Sequence, residues 1–258
     1  MNPLFKPGAV KWPRSAIPQR QRGATLAEFV VVGPVAILVI LALIQVGMMM
    51  VAKQVLNEAA FEAARMGASE HALKQEVQRA LERKLLPFYQ DSTNNNDTGR
   101  LFNASIAAAI DFNLNSIFSG PRLKIERLSP PESAFSDFGL NVTDANGNHL
   151  AIPNDNLEYR IYSGVKGSQS GLTIQDANEL RIRVVYSYEL KVPLMKTVFG
   201  SVMCGIDSGV NAFGRGDSGG IASASDCSDY YKRGRVPIVT YATVQMQSDV
   251  YQDDAWKN

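Results

Sequence analysis

The sequence predicts an α+β protein in which one long N-terminal helix precedes a domain built on an antiparallel sheet. Three features lead to this prediction. Residues 29–52 contain no charged side chain. Residues 53–86 repeat apolar side chains at helical spacing, and residues 179–192 alternate apolar and polar side chains as a half-buried strand does. The chain of 258 residues is long enough for one or two domains.

The apolar segment is long enough to cross a lipid bilayer as a helix. Its 24 residues would extend about 36 Å, against a hydrocarbon core of about 30 Å. The core of a cleaved secretory signal is shorter, so we expect a single membrane-spanning helix. A signal-peptidase cut near the alanine-rich residues 59–64 is the alternative. Gly33 and Pro34 predict a kink, because proline removes a backbone donor.

The charges around this segment are distributed unevenly, although the formal net charge is only +1. Residues 1–23 carry no acidic side chain, and their basic side chains are Lys6, Lys11, Arg14, Arg20 and Arg22. A positive flank of this kind stays on the cytoplasmic side of a membrane helix. The rest of the chain is more acidic than basic, which leaves no basic stripe for nucleic acid.

Glu28 is a lone carboxylate at the start of the apolar segment. A carboxylate near lipid is costly, so its presence marks Glu28 as a candidate functional residue. An interfacial acid whose side chain merely reaches toward water is the alternative. Beyond the membrane, residues 53–86 are predicted to continue the helix as an amphipathic spine, with a bend or break near Gly67 and Ser69 and a stop at Pro87.

Residues 88–258 are predicted to form the α+β domain. A polar linker at residues 90–99 leads to a helix at residues 101–118 that places Phe102, Ile106 and Ile110 on one side. The predicted strands cover residues 123–128, 159–162, 179–192 and 236–246. Apart from the strand at residues 159–162, the sequence does not assign the fold of residues 130–178, which contain many turn-forming side chains.

Two cysteines, Cys204 and Cys227, flank most of a loop at residues 205–235 that is rich in Gly, Ser and Asp. If this part is exported, we expect a disulfide that would stabilise the loop by roughly 3 kcal/mol. Two unrelated thiols are the alternative. The chain has two histidines and no zinc-type spacing, so neither a metal nor another cofactor is expected.

The loop also contains Gly216-Asp217-Ser218-Gly219-Gly220, which matches the nucleophile segment of trypsin-like serine proteases. That chemistry needs a histidine base oriented by a buried aspartate. His71 lies on the predicted spine and His149 in an Asn/Gly turn, so we predict no catalytic residue. A membrane-tethered serine hydrolase using Ser218 is a minor alternative.

Several of these features together resemble the TadE-like family of pseudopilins from the bacterial Tad/Flp pilus apparatus. The matching stretches are Arg22-Gly23-Ala24, Glu28-Phe29, Gly33-Pro34, the apolar segment and residues 57–67. Residues 177–184, the segment Leu190-Lys191-Val192-Pro193-Leu194 and the tail at residues 244–248 show a weaker similarity. The long middle region and the Gly-rich loop depart from short family members.

The resemblance implies a leader at residues 1–23 that a cytoplasmic prepilin peptidase removes by cutting between Gly23 and Ala24. The resemblance also implies that Glu28 and Phe29 contribute to recognition by the peptidase and to pilus assembly. Cleavage creates an ammonium group on Ala24, one helical turn from the Glu28 carboxylate. Pairing between them, within one chain or between neighbours, would stabilise the carboxylate near lipid and set the register of packed helices.

The organisation expected from the resemblance is a leader (1–23), a membrane helix and spine (24–87) and a periplasmic domain (88–258). The helix would lie in the bacterial inner membrane. The expected function is that of a non-enzymatic minor pseudopilin that supports pilus assembly for adherence and biofilm formation. Its expected partners are the prepilin peptidase, other pilin and pseudopilin subunits, Tad inner-membrane proteins and lipid. An uncleaved, membrane-anchored envelope protein is the alternative.

Overall fold

The structure is a computed structural model that describes residues 24–90, 97–110, 122–144, 147–160, 164–199 and 230–257. Two compact units divide between Leu41 and Ala42. Helix α1, Ala24–Ser69, carries the apolar segment and runs without interruption through Pro34. Because proline has no N–H, the Val30 carbonyl loses its usual partner in the following turn. The described helices and strands confirm the predicted α+β class.

The spine is not one continuous helix. Helix α1 ends at Ser69, and helix α2, Lys74–Leu85, follows after a turn in which His71 and Ala72 have φ values of 55° and 56°. Left-handed backbone of this kind cannot continue an α-helix. Pro87 then lies in a short 3₁₀ helix, Leu86–Tyr89. The predicted break and stop are therefore both present, and the break separates two helices.

Helix α3, Asp97–Ala109, corresponds to the described part of the helix predicted at residues 101–118. Its buried side chains are those of Ala104 and Ala108. Phe102, Ile106 and Ile110 share one side, as predicted, but that side is exposed. The size of these side chains would normally favour the opposite arrangement.

The strands are β1 (Leu123–Ser129), β2 (Leu140–Asp144), β3 (Gly147–Ile152), β4 (Glu179–Glu189), β5 (Arg235–Gln245) and β6 (Val250–Tyr251). They form two three-stranded antiparallel sheets in the orders β1-β4-β5 and β2-β3-β6. Strands β1, β4 and β5 confirm three of the four predicted strands. The strand predicted at residues 159–162 is wrong in its described part, because Tyr159 lies in a turn that follows Asn156.

Strand β4 is the centre of the larger sheet. The predicted alternation holds from Glu179 to Val184, but the residues from Val185 to Tyr188 are buried on both faces. Central strands covered on both sides lose the alternation that marks a half-buried strand. Ile182 and Val184 belong to the same core as the alanines of α1, so β4 provides much of the surface on which the helix packs.

The segment without a predicted fold contains helix α4, Glu132–Phe138, the β2–β3 hairpin and helix α5, Ile174–Ala177. Helix α5 begins with a capping box in which Thr173 and Asp176 satisfy each other's backbone N–H groups. Phe135 and Phe138 from α4 and Ile174 from α5 join the core. This region completes the domain around β4.

Candidate functional site

The apolar part of α1 is exposed along its length. Phe29 is 76% exposed, and most of the large apolar side chains from Val30 to Val51 are also exposed. Among the described residues, one helix is long and apolar enough to cross a membrane, with a mean hydropathy of 2.8 in its most apolar window. A row of this size is not found on ordinary soluble surfaces and needs lipid or packed helices around it.

Glu28 lies at the start of this exposed segment, and its side chain is exposed. The backbone of Ala24 is helical, so the two residues are separated by about one turn of α1. Gly23 and the leader lie outside the described residues, and the cleavage site stays a prediction. The predicted kink is not tested either, although a side chain at Gly33 would contact the ring of Phe29.

The second half of α1 packs on the sheet through small side chains. Seven apolar residues form this buried face, and six of them are alanines: Ala52, Leu56, Ala59, Ala60, Ala63, Ala64 and Ala68. Small side chains let the helix backbone approach a sheet closely. Beside this face, the hydroxyl of Thr240 donates a hydrogen bond to Asn57 Oδ1. This alanine-rich face is thus the surface by which α1 packs on its own domain, and it is called the seat of α1 below.

Gly67 allows the closest approach at this seat. A Cβ at this position would lie 2.6 Å from Val77 Cγ2 and 2.9 Å from Leu180 Cδ2. The sequence predicted a bend or break near this residue but no close packing. The structure shows that hydrogen at Gly67 leaves room for α2 and β4 on the same side of α1.

The Val192-Pro193-Leu194 segment contacts α1 within its apolar segment. The Val192 N–H donates a hydrogen bond to Gln45 Oε1 at 2.9 Å, and the Gln45 side chain is fully buried. In the sequence, Gln45 is the main polar residue of an otherwise apolar segment. Its contact with Val192 could not be predicted from the sequence, because the two residues are 147 positions apart.

The tail at residues 246–251 closes the other end of α1. The Ala68 carbonyl accepts hydrogen bonds from the Gln247 N–H at 2.9 Å and from the Ser248 hydroxyl at 3.1 Å. The last carbonyls of a helix have no partner within the helix, so these donors cap it. The similarity noted for residues 244–248 therefore falls on a segment that secures the spine.

Both histidines stack on one tyrosine beside this cap. The Tyr251 ring lies 3.9 Å from the His71 ring and 4.6 Å from the His149 ring, between centroids. Its hydroxyl donates to Asp144 Oδ2 at 2.9 Å. Burial raises the pKa of Tyr251, and the Asp144 carboxylate raises it further. Both histidines therefore belong to this stacked cluster around Tyr251.

The motif around Ser218 and both cysteines, Cys204 and Cys227, lie outside the described residues. Within the described ranges, no three His, Cys, Asp or Glu side chains are grouped so that they could hold a metal ion. The structure therefore brings together the spine, the sheet and the tail, and the strongest candidate site is the exposed helix that they support.

Residues 23–65 match the model of a protein family described as TadE-like protein. The N-terminal segment is similar to the TadE-like family. This family is a structural family of the Tad pilus system. The TadE-like match covers the whole exposed helix and most of its seat on the domain, and it leaves residues 66–258 outside. No curated protein and no solved structure matches the chain significantly.

Proposed function

We propose that the chain is a minor pseudopilin that supports assembly of Tad/Flp pili, and thereby adherence and biofilm formation. The observation that carries the proposal is the exposed, charge-free helix, with Glu28 at its start, inside the TadE-like segment. A helix of this kind serves two states, surrounded by lipid before assembly and by other helices afterwards. Its domain lies in the periplasm, and its leader lies in the cytoplasm.

The proposed processing step is cleavage between Gly23 and Ala24 by a prepilin peptidase. The basic leader holds the site on the cytoplasmic side, and the cut places an ammonium group one turn from Glu28. Without that cation the carboxylate stands beside apolar residues with less compensation. Glu28 therefore acts after cleavage by fixing the axial position of the helix among its neighbours.

The decisive experiment is mass spectrometry of the N-terminus of the protein from its native host. Ala24 should be the first residue when the prepilin peptidase is present, and residues 1–23 should be retained when its gene is deleted. Gly23→Leu should also block cleavage, whereas Gly47→Leu is the matched control because no atom lies within 4 Å of a Cβ there. Retention of the leader in the wild-type host would favour the uncleaved anchor.

A second experiment tests assembly separately from processing. Glu28→Gln should leave membrane insertion intact, because it removes charge from the apolar end, but should reduce the number of pili. Glu58→Gln is the matched control on the exposed part of the spine. Normal piliation with Glu28→Gln would exclude the proposed pairing role.

The hydrolase alternative has its own test. Ser218→Ala should leave pilus formation unchanged if the chain is a structural component. If the purified wild-type protein hydrolyses an ester or peptide substrate and Ser218→Ala abolishes that activity, the enzyme alternative would replace the proposal.

A further inference from the structure

A groove of about 830 Å³ opens beside the apolar segment of α1. Ile44, Met48 and Val51 of the helix form one wall. Apolar and aromatic side chains from the domain, including Phe88, Ile110 and Tyr188, form the other. A volume of this size lies within the range of sites that hold small apolar molecules, roughly 300–1,000 Å³.

Helix α3 extends this apolar surface outward. Ala107 and Ile110 line the groove, so this end of α3 lies beside residues 44–51 of α1. Phe102, Ile106 and Ile110 are spaced by one helical turn and are 64%, 43% and 45% exposed. A row of large apolar side chains on the outside of a helix, with alanines on the inside, indicates a surface that meets another apolar phase.

The turn after β4 lies at the same level of α1, because Val192 is hydrogen-bonded to Gln45. Leu194 in this turn is 69% exposed and has a φ of 65°. Lys191 and Lys196 flank it, and both are exposed. An exposed leucine between two lysines matches a membrane-surface contact, since lysine stems cover apolar surface while their ammonium groups reach water or phosphate.

The position of the groove, α3 and the Leu194 turn along α1 determines how deep they lie in a bilayer. The apolar segment ends at Ala52, and Lys53 is the first charged residue after it. A bilayer that takes up residues 29–52 needs nearly their whole length, about 36 Å for a core of about 30 Å. Residues 44–51 then lie in the leaflet nearest the domain, and everything packed beside them lies at the same depth.

We propose that the domain is partly sunk into this leaflet, with Leu194 and the exposed side of α3 among the acyl chains, and that the groove holds an anionic phospholipid. Lys191 and Arg122 line the groove and would bind its phosphate. Glu189 also lines the groove, and its carboxylate accepts a hydrogen bond from Lys196 at 3.0 Å. Within the described part of this rim, basic groups therefore exceed acidic ones. The proposal rests on membrane insertion by α1, which is part of the proposed function.

A lipid explains this surface better than a protein partner does. The groove is continuous with the lipid-facing part of α1, and its tyrosines, Tyr89, Tyr186 and Tyr188, are of the residue type enriched at membrane interfaces. Contact with another subunit would not require the lysines on both sides of Leu194. Capture of a protein at this surface is instead one outcome of the test below.

The first test is photo-crosslinking in native membranes with benzoyl-phenylalanine at Phe102 or Leu194 of the full chain. Tyr159 is the control site, because it is exposed and belongs to another part of the domain. We expect mass spectrometry to find phospholipid adducts at Phe102 and Leu194, several times more abundant than at Tyr159. Adducts with protein alone, or no excess over Tyr159, would overturn the proposal.

The second test uses the full chain in lipid nanodiscs with and without phosphatidylglycerol. Lys191→Glu combined with Lys196→Glu should lower the phosphatidylglycerol retained per protein by at least roughly fivefold. Lys166→Glu is the matched control on an exposed lysine outside the groove. If the variants fold normally, equal phosphatidylglycerol retention by the wild type and the double variant would overturn the headgroup site.

These tests separate the inference from the proposed function. Phospholipid adducts should persist in a host that lacks the prepilin peptidase, because insertion precedes cleavage. If adducts form but the leader is retained in the wild-type host, the pseudopilin proposal fails and the lipid site stands. If Ala24 is the first residue but lipid adducts are absent, the lipid site fails and the pseudopilin proposal stands.

Discussion

The Val192 N–H donates a hydrogen bond to the Gln45 side chain at 2.9 Å, and this pair fixes the level at which the domain meets α1. Gln45 lies within a charge-free segment, where a polar side chain exposed to lipid would be costly. The Val192 N–H satisfies the Gln45 amide oxygen, and the domain shields the side chain from the surroundings, although the buried Gln45 Nε2 has no hydrogen-bond partner among the described residues. The contact therefore explains both the buried glutamine and the position of the turn that carries Leu194.

Gln45→Leu should lower the stability of the domain. It leaves the buried Val192 N–H without its acceptor, which costs about 1–3 kcal/mol. We expect a lower unfolding midpoint in detergent micelles, measured by circular dichroism during denaturant titration. Gln54→Leu, at an exposed position of α1, is the control. Equal midpoints for the two variants would show that the Gln45 contact contributes little.

Gly67→Ala and Gly47→Ala form a matched pair within α1. A Cβ at Gly67 would come within 2.6 Å of Val77, whereas no atom lies within 4 Å of a Cβ at Gly47. Overpacking at Gly67 should destabilise the domain by about 1–3 kcal/mol. The change at Gly47 should leave its stability equal or slightly higher. Thermal unfolding in the same detergent measures both, and a neutral Gly67→Ala would contradict the close packing.

Tyr251→Phe should change the alkaline limit of stability. Because burial and Asp144 raise the pKa of Tyr251 in the folded protein, folding favours the neutral phenol. This contribution is complete below the unfolded pKa of about 10 and is lost as the pH rises through the folded value.

Unfolding midpoints measured between pH 8 and pH 11 should therefore fall less steeply for Tyr251→Phe than for the wild type, a range chosen around the phenol pKa of about 10. At pH 8 the variant should already be less stable by about 1 kcal/mol, through loss of the hydrogen bond to Asp144. Tyr159→Phe, which removes an exposed hydroxyl, controls for the substitution itself. Parallel pH profiles for wild type and Tyr251→Phe would refute the assignment.

Cys204 and Cys227 should form a disulfide in protein isolated from the periplasm. The expectation rests on the proposed export of the domain and on the position of the two cysteines around a Gly-rich loop. A peptide map under non-reducing conditions should contain one peptide pair that separates on reduction. Alkylation of both thiols before reduction would falsify the pairing.

The patterns that could be predicted from the sequence are those set by one element alone. The charge-free segment, the alternation at Glu179 to Val184 and the stop at Pro87 depend on neighbouring residues, and the structure contains each of them. The two-sided burial of Val185 and Ser187 depends on what packs beyond the sheet. No local pattern reports that.

The candidate site was predictable to a similar degree. Glu28, Gly33 and Pro34 are visible in the sequence because a charge or a proline is unusual beside an apolar segment. The partners of Gln45 and Ala68 were not predictable, because they are distant in the chain. The sequence placed Phe102, Ile106 and Ile110 on one side of α3 but could not show that this side is exposed, since large apolar side chains usually point inward.

The cap on Ala68 has a consequence for biogenesis. Its donor Ser248 follows 180 residues later, which corresponds to roughly 10–35 s of synthesis at about 5–20 residues per second. During this interval the hydrophobic helix has already left the ribosome, while its far terminus still lacks the chain segment that will close it. If α1 spans a membrane as proposed, it can reach the bilayer before Ser248 is made, and the domain then matures on a helix that is already in place.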